Sequence, residues 1–465
     1  MSRSAVISAL QRQFDSGRFL ENLAGLVAYR TESQIAERLP ELHAYQSQAM
    51  APWLERLGYR VELFDNPIPG GGPFLIGRRM EDGGALTVLT YGHADVVRGL
   101  EADWDDGLDP WKVTRRGERI YGRGVVDNKG QHAVALAALQ QVIAERGRLG
   151  FNSVVFMESS EEIGSPGIHD FAAAHRDLLS ADVLIASDGP RVAIDRPTLF
   201  LGSRGAMNLE LSLQLRDTGH HSGNWGGLLA NPGILLAHAI ASIVSSTGEI
   251  LVPELKPAAM PEAVRRALAD ITVEAGEEGP QIDGWWGEPG SSAAEKVFGW
   301  NSFDVLAFVT GNPDNPVNAV PPGASAHCQV RFTVDTDPNG FVPAIRRHLD
   351  AAGLSMVEVR EAPGRTRWAA TRLDPENAWV DWAARSIEHT TGRRPAILPN
   401  LGGSLPNDVF ADTLGMPTIW IPHSYAGCSQ HAPNEHGLAP LFREALAIMG
   451  GIFWDLGESR PKSAD

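Results

Sequence analysis

The hydrophobic positions of the chain fall into short runs of strand type that alternate with longer stretches of helical type. Three apolar runs, in LTVLTYGHADVV, VVFMESSEEIGS and ADVLIASDG, each stop at polar residues that include a histidine or an acid. Between the first two, GRGVVDNKGQHAVALAALQQVIAERG has the alanine- and leucine-rich composition of a long helix. Alternating strand and helix signals predict an α/β fold for this part of the chain.

The middle of the chain has a different pattern and predicts a second, α+β domain. Its segments are a strand over 206–216, a helix over 232–245, strands over 303–310 and 324–334, a helix over 340–352 and a strand over 354–360. This β-α-β-β-α-β order is that of ferredoxin-like domains, here interrupted over about 250–301 by an insertion rich in Pro, Gly and Trp. We therefore expect the α/β domain to comprise 1–203 and 363–465, with the second domain inserted over 204–362.

Seven residues with metal-binding or acid–base side chains follow the apolar runs or lie in glycine-rich loops. They are His93, Asp95, Asp127, Glu161, Glu162, Asp188 and His431. Ligands of open α/β sheets bind at the carboxyl ends of the strands, so these residues are expected to meet in one site. A metal centre that activates water requires one carboxylate on the ion and another free to move a proton. We assign Glu162 to the metal and Glu161 to the proton.

Each residue taken alone also has an ordinary structural explanation. A His-x-Asp pair such as His93 and Asp95 is common by chance, and Asp127 in a glycine-rich loop is a frequent turn former. Adjacent glutamates are usually solvated, and Asp188 before Gly-Pro fits a plain turn. The joint occurrence of such residues at several strand ends favours a shared site over these separate explanations.

Eight motifs, taken together and in order, resemble those of a known enzyme family. They are GHADVV, GRGVVDNKG, ESSEEIGS, SDG, HHSGNWGG, NAVPPGASAHCQVRF, GGSLP and HAPNEH. The family is that of the di-zinc metallopeptidases, which includes carboxypeptidase G, aminoacylase, succinyl-diaminopimelate desuccinylase and the carnosinase-type dipeptidases. HHSGNWGG and GGSLP look most similar to the carnosinase-type dipeptidases.

The resemblance implies a mixed-sheet di-metal catalytic domain with an inserted ferredoxin-like lid and dimerisation domain. It implies one metal held by His93 and Asp188, a second held by Glu162 and His431, and Asp127 bridging both. The expected ions are zinc, with manganese or cobalt as alternatives, since oxygen and nitrogen ligands without thiolate suit several divalent metals.

The same resemblance implies that the inserted domain forms a homodimer and completes the active site. His221 and Asn318 are implied to reach the site of the neighbouring subunit, where His221 would stabilise the oxyanion. Arg331 is implied to bind the carboxylate of the substrate, because a guanidinium group can form two parallel hydrogen bonds with it. Gly403 and Ser404 are expected near the same end of the substrate, since glycine lets backbone amides come close. Within one chain, Asp95 would orient the ring of its metal-bound histidine neighbour.

Composition narrows the class of protein further. With 465 residues, two domains are expected, and the formal net charge of −17 argues against a nucleic-acid partner, which requires a basic surface. The N-terminus is too polar for a signal peptide, and no apolar stretch approaches the length of a membrane span. Only two cysteines occur, Cys328 and Cys428, which fits a reducing compartment and predicts a cytoplasmic location.

These features together predict a metal-dependent amidohydrolase that cleaves the amide bond of a small carboxylate-bearing peptide, in the first place a dipeptide. An N-acyl-amino-acid deacylase of the acetylornithine or succinyl-diaminopimelate type would use the same residues and is the main alternative. A non-catalytic relict that binds amino acids is disfavoured, because Glu161 is retained beside a complete ligand set.

Overall fold

Two separate sheets organise the chain in the computed structural model, which describes residues 2–81, 85–273, 280–364 and 366–461. Within these residues the larger sheet has eight strands. From one edge to the other they are Arg60–Phe64, Phe74–Arg79, Asn152–Glu158, Thr87–His93, Val183–Ala186, Thr418–Trp420, Thr198–Phe200 and Ala396–Leu398. The third to sixth strands in this order are parallel, whereas antiparallel pairs flank them on both sides. The predicted mixed-sheet α/β domain is therefore confirmed.

Side chains of the large sheet alternate between two apolar cores, one on each face. Leu75 belongs to one core, and its neighbours Phe74 and Ile76 belong to the other. Because successive residues of a strand point to opposite faces, a strand covered on both faces is apolar at nearly every position. This explains the continuous apolar runs of the sequence.

Helices of the large domain cover both faces of its sheet. The first core contains residues of the helices Arg3–Asp15, Arg18–Val27, Ala51–Arg56, Lys129–Arg146, Ala378–Thr391 and Ala439–Leu456. The second core contains residues of Ile168–Ala174, Arg176–Leu179 and the π-helical turn Val409–Thr413. A further short helix, Leu39–Ala44, continues through the π-helical segment Tyr45–Met50 into Ala51–Arg56. Within the described residues, no helix is both long and apolar enough to cross a membrane.

The smaller, four-stranded sheet forms the predicted inserted domain. Its strands, in spatial order, are Ser302–Thr310, Gly323–Phe332, Gly205–Gln214 and Glu358–Glu361, and all neighbours are antiparallel. The helices Pro232–Ile243 and Phe341–Ala351 share its core. This is the ferredoxin-like arrangement. The last strand begins later than predicted, because the backbone N–H groups of Leu354 and Val357 bond within a turn that closes the preceding helix.

The insertion over 250–301 divides its contacts between the two domains. Its first apolar residues, Ile250, Val252 and Leu255, join the core of the ferredoxin-like domain. Two α-helices among its described residues, Glu262–Leu268 and Ala293–Phe298, contribute instead to the second core of the large sheet. The later part of the insertion therefore packs on the large domain.

Smaller sheets of short strands join the loops that carry candidate residues. In the first, Arg119–Tyr121 pairs with Thr114–Arg116 on one side and with His436–Leu438 on the other. In the others, Pro190–Arg191 pairs with Ser424–Tyr425, and His220–His221 pairs with Ala319–Val320. The first of these sheets links the segment before Asp127 to the segment after His431, which lie far apart in the sequence. The loops are thus held by backbone hydrogen bonds.

Candidate metal centre and substrate cavity

Parallel strands bring the candidate residues to one edge of the large sheet. His93 is the last residue of its strand, Glu161 and Glu162 follow the strand Asn152–Glu158, and Asp188 lies two residues after the strand Val183–Ala186. These three strands are parallel neighbours, with the strand of His93 in the middle. Their carboxyl ends therefore lie side by side, as expected for a ligand site of an α/β sheet.

Two groups of three potential metal ligands share Asp127. The ligand atoms of His93, Asp127 and Asp188 lie within 4.8 Å of one another, and so do those of Asp127, Glu162 and His431. His93 Nε2 lies 3.0 Å from Asp127 Oδ1 and 3.7 Å from Asp188 Oδ2. His431 Nε2 lies 2.9 Å from Asp127 Oδ2 and 3.1 Å from Glu162 Oε2. The two oxygens of Asp127 thus face different histidines, which suits a bridging carboxylate.

Two carboxylates of this cluster, Asp188 and Glu162, have raised pKa values in the absence of a metal. Burial raises the pKa of Asp188 to about 6 and that of Glu162 to about 7, and the charge of Asp127 adds to both shifts. Among the described residues, Glu162 Oε1 is buried without a hydrogen-bond partner. Buried acids that raise one another's pKa are stabilised by a bound cation. The residues present therefore fit a metal site.

Protonation of the two histidines is coupled to the same acids. Burial lowers the pKa of His93, but hydrogen bonds with Asp127 and Asp95 outweigh it and raise the pKa well above its ordinary value. Hydrogen bonds with Asp127 and Glu162 raise the pKa of His431 to about 11. Burial would raise the pKa of Asp127, yet the hydrogen bonds from His431 and His93 hold it below its ordinary value. Because imidazole nitrogens bind metals in their deprotonated form, metal binding at this cluster would compete with protons on both imidazoles.

Asp95 connects the histidine to the pair of glutamates. His93 Nδ1 lies 3.1 Å from the carbonyl oxygen of Asp95 and 3.4 Å from its Oδ1. The Asp95 carboxylate also accepts the backbone N–H groups of Glu161 and Glu162, each at 3.1 Å. The sequence suggested only the contact with the histidine. The structure adds that this side chain holds the backbone of the glutamate turn.

A buried ion pair that the sequence reasoning missed joins two ligand loops. Glu435 Oε2 lies 2.9 Å from Arg123 Nη1, and both side chains are at most 1% exposed. Glu435 also accepts the backbone N–H groups of Gly124 and Val126, just before the shared aspartate. Since Glu435 follows His431 in the same loop, it fixes that loop to the segment of the shared ligand. The HAPNEH motif contains Glu435, but nothing local distinguishes it from a solvated acid.

A cavity of about 820 Å³ lies over the cluster. Its lining includes Asp127, Glu161, Glu162, Asp188, Gln430, His431, Arg331, Gly403 and Ser404. Arg331 donates to Ser404 Oγ at 2.8 Å and to Gln329 Oε1 at 2.9 Å. Among the described residues, no carboxylate pairs with its guanidinium group. Gln430, which the sequence reasoning missed, donates to Asp127 Oδ2 at 2.6 Å.

His221 and Asn318 lie outside the lining of this cavity. The strands His220–His221 and Ala319–Val320 pair, and the carbonyl oxygen of Asn318 accepts the N–H of Ser222 at 2.8 Å, so the two residues are neighbours. Both are exposed, and neither is among the described residues that line the cavity. The structure brings them together with each other but not with the metal ligands of their own chain.

Comparison with known proteins identifies the family of the chain. The model of peptidase family M20/M25/M40 matches residues 89–453, and the chain belongs to that family. The Beta-Ala-His dipeptidase of Homo sapiens is 30% identical over 468 residues, which covers 95% of this chain and 90% of the relative. The Cysteinylglycine-S-conjugate dipeptidase of Corynebacterium striatum is 26% identical, with 90% of each chain covered.

Solved structures have the same fold. The di-peptidase Dug1p of Saccharomyces cerevisiae superposes with a TM-score of 0.79 at 22% identity, covering 99% of this chain and 100% of that chain. Human carnosine dipeptidase 1 also superposes with a TM-score of 0.79, at 21% identity and with 99% of both chains covered. The predicted resemblance to the dipeptidase branch of the family is confirmed.

Proposed function

We propose that this member of peptidase family M20/M25/M40 is a metal-dependent dipeptidase that hydrolyses dipeptides with a free C-terminal carboxylate. The observation that carries the proposal is the cavity itself, whose lining combines four carboxylates and the imidazole of His431 with the guanidinium of Arg331. Relatives named as dipeptidases align over at least nine-tenths of the chain, which supports the same class of reaction.

Two divalent metal ions would occupy the cluster. The first would be held by His93 and Asp188 and the second by Glu162 and His431, with Asp127 shared between them. Zinc is the first candidate, and manganese and cobalt are alternatives, because a set of nitrogen and oxygen ligands suits several divalent ions. When bound, such ions lower the pKa of a coordinated water and polarise a carbonyl group.

Glu161 is the proposed general base. Its carboxylate belongs to neither ligand group, yet it lines the cavity beside Glu162. Burial raises the pKa of Glu161 well above its ordinary value, and the charge of His93 opposes this shift. A carboxylate with a raised pKa accepts a proton from water more readily and can pass it to the leaving amine. Asp95 positions this group through the backbone N–H of Glu161.

Arg331, Gly403 and Ser404 would bind the carboxylate end of the substrate. The guanidinium group of Arg331 is oriented by two hydrogen bonds, with Gln329 and Ser404. Burial lowers the pKa of Arg331 and the charge of Asp304 opposes this shift, but no carboxylate among the described residues is a hydrogen-bond partner of this group. A carboxylate ligand would supply that partner in a two-point interaction. Ser404 Oγ in turn donates to the carbonyl oxygen of Arg204 at 2.8 Å, which fixes its direction.

His221 and Asn318 would act on the site of a second subunit in a homodimer. Support comes from the edge strand Ser302–Thr310, which exposes four large apolar side chains. They are Val305, Leu306, Phe308 and Val309, each more than 40% exposed. An open apolar edge strand is a site for pairing with another chain, and we propose that the other chain is a second copy. Light scattering of the purified protein measures the expected dimer mass.

We further propose a cytoplasmic location. Cys328 and Cys428 are both buried and free, and buried free thiols suit a reducing compartment. Among the described residues, neither cysteine belongs to a group of potential metal ligands. Microscopy of a fluorescent fusion in the native cell checks this location.

The enzymatic proposal is tested by assaying the metal-reconstituted protein against two substrate panels. One panel contains dipeptides, and the other contains N-acetyl- and N-succinyl-amino acids. We expect release of free amino acids from the dipeptides. Release from the acylated amino acids alone would identify the protein as a deacylase instead, since the same residues serve both reactions. Turnover of neither panel by protein with its metal sites filled would reject the proposed amidohydrolase.

A further inference from the structure

The helix Ala293–Phe298 of the insertion places an apolar surface in the substrate cavity. Its last two residues, Val297 and Phe298, both line the cavity. Phe298 is only 8% exposed and belongs to the second core of the large sheet, against which Val297 also packs. The two side chains therefore pack against the core and together form one apolar wall of the cavity.

Gly402 brings this wall next to the residues proposed to bind the substrate carboxylate. A Cβ atom placed on Gly402 would lie 3.0 Å from Val297 Cγ1 and 3.8 Å from the ring of Phe298. Only a residue without a side chain allows such a close approach without displacing its neighbour. Two residues further on, Ser404 Oγ accepts the hydrogen bond from Arg331. The apolar wall and the proposed carboxylate site thus share one short turn.

Arg204 forms hydrogen bonds with both the turn and the segment that follows the wall. Its Nε donates to the carbonyl oxygen of Gly402 at 3.0 Å, and its Nη1 donates to that of Trp300, two residues after Phe298, at 3.4 Å. Arg204 is only 8% exposed, and burial lowers its pKa to about 10, with the charge of Arg331 adding to the effect. A buried guanidinium that bonds to both segments fixes the distance between them.

Asn301 ties the end of the insertion to the strand region that carries Arg331. Its Nδ2 donates to the carbonyl oxygen of Leu255 at 2.8 Å, and its Oδ1 accepts the N–H of Thr333 at 2.8 Å. Thr333 lies two residues after Arg331. The wall is therefore positioned relative to the proposed carboxylate-binding arginine by a second, independent contact.

We infer that Val297 and Phe298 form the specificity wall for the side chain of the substrate's C-terminal residue. The inference rests on the proposed function, in which Arg331 binds the carboxylate of that residue. The side chain and the carboxylate share one carbon atom, so a bound carboxylate brings the side chain close to the same turn. An apolar wall there favours an apolar side chain such as that of leucine over glycine.

The test varies the size of Val297 and the size of the C-terminal residue together. We measure kcat/KM for Ala-Leu and Ala-Gly with the wild-type enzyme, Val297→Phe and Val297→Ala. Val297→Phe is expected to lower the ratio of Ala-Leu to Ala-Gly by at least about tenfold, the scale of one or two methylene groups in an apolar pocket. Val297→Ala is expected to shift preference toward residues larger than leucine, which is measured as a higher ratio of kcat/KM for Ala-Phe to that for Ala-Leu than in the wild type. Ala293→Leu, on the exposed side of the same helix, is the matched control and should leave the ratio unchanged.

Binding of the free amino acids leucine and glycine, measured by calorimetry, separates the inference from the proposed function. If the metal-loaded wild-type enzyme cleaves no dipeptide, the proposed function fails, but the ratio of leucine to glycine affinity still tests the wall. A smaller ratio in Val297→Phe than in Ala293→Leu supports the inference. Equal ratios in wild type and both Val297 variants, whether in turnover or in binding, overturn it.

Discussion

The backbone N–H of Glu161 donates to Oδ1 of Asp95 at 3.1 Å. Asp95 also lies against His93, through its carbonyl oxygen at 3.1 Å and its Oδ1 at 3.4 Å. One acidic residue therefore couples the position of the proposed general base to the position of a proposed metal ligand. A shift of the His93 ring would therefore be transmitted to the backbone of Glu161 through Asp95.

Replacing Glu161 with glutamine should remove catalysis while retaining the metals. The amide has the same shape but cannot accept the proton from water, so kcat should fall by about 10²–10⁴-fold. Steady-state kinetics and elemental analysis of the same preparation check both parts. Glu37→Gln, at an exposed position, serves as the matched control. Near-wild-type turnover in a fully metallated Glu161→Gln protein would exclude Glu161 as the base.

Glu162→Gln and His431→Ala should each lose one metal ion. Both changes remove a ligand from the same group of three, whereas His93, Asp127 and Asp188 remain for the other ion. Metal content per chain is measured after dialysis. His169→Ala is the control, because that histidine pairs with Asp408 outside both ligand groups. Two tightly bound ions in both ligand variants would show that the second site has been misassigned.

Mixing two inactive variants tests whether His221 acts across the dimer. A heterodimer of Glu161→Gln and His221→Ala would contain one site with both defects and one with neither, if His221 serves the partner's site. Each heterodimer formed by subunit exchange should then have up to about half the activity of a wild-type dimer, since the oxyanion stabilisation of one site is intact. Verified heterodimers without activity would contradict the assignment, as would a fully active monomeric wild type.

Removing Glu435 should destabilise the protein and weaken metal binding. Glu435→Ala leaves the buried guanidinium of Arg123 without its partner, which typically costs about 3–5 kcal/mol of unfolding free energy. Loss of support for the metal ligands should weaken metal affinity by about 10–100-fold. Denaturant unfolding and metal titration measure the two effects.

An exposed ion pair provides the comparison for Glu435. Arg347 and Glu254 are both more than half exposed, so Arg347→Met should cost less than about 1 kcal/mol. The double variant Glu435→Ala with Arg123→Met should recover part of the lost stability, because it no longer buries an unpaired charge. An equal cost for Glu435→Ala and Arg347→Met would show that the buried pair has no structural role.

Metal removal should make stability fall as pH rises. Burial raises the folded-state pKa of Asp188 to about 6 and of Glu162 to about 7, in each case with a contribution from Asp127. Both values lie above the unfolded ones, so these groups stabilise the metal-free protein at low pH and lose that contribution as pH rises through the folded values. Hydrogen bonds with Asp127 and Glu162 raise the pKa of His431 to about 11, which acts in the same direction at higher pH.

Bound metal should reverse this trend, because its ligands are deprotonated and its affinity increases with pH. The difference in Tm between metal-bound and metal-free protein should therefore widen from about pH 5 to about pH 8. Scanning calorimetry of both forms across this range measures it. A constant difference would mean that the cluster does not titrate with metal binding.

Much of the fold could be predicted from the sequence, because the relevant signals are local. The apolar runs before His93 and Asp188 are continuous since both faces of their strands are buried, and that pattern is visible in any single strand. The order of strands and helices between 205 and 361 likewise follows from periodicity. The start of the last strand does not follow from periodicity, because the backbone N–H groups of Leu354 and Val357 form turn hydrogen bonds instead.

The amino-acid sequence alone indicates which residues can bind a metal or move a proton, and which strand ends carry them, from His93 to Asp188. Which oxygen of Asp127 faces which histidine depends on the folded arrangement, since these contacts join segments separated by tens to hundreds of residues. The folded arrangement alone shows that Glu435 is buried against Arg123 and that Val297 enters the cavity. Burial and partner choice depend on how distant segments pack, and no local pattern of residue types encodes them.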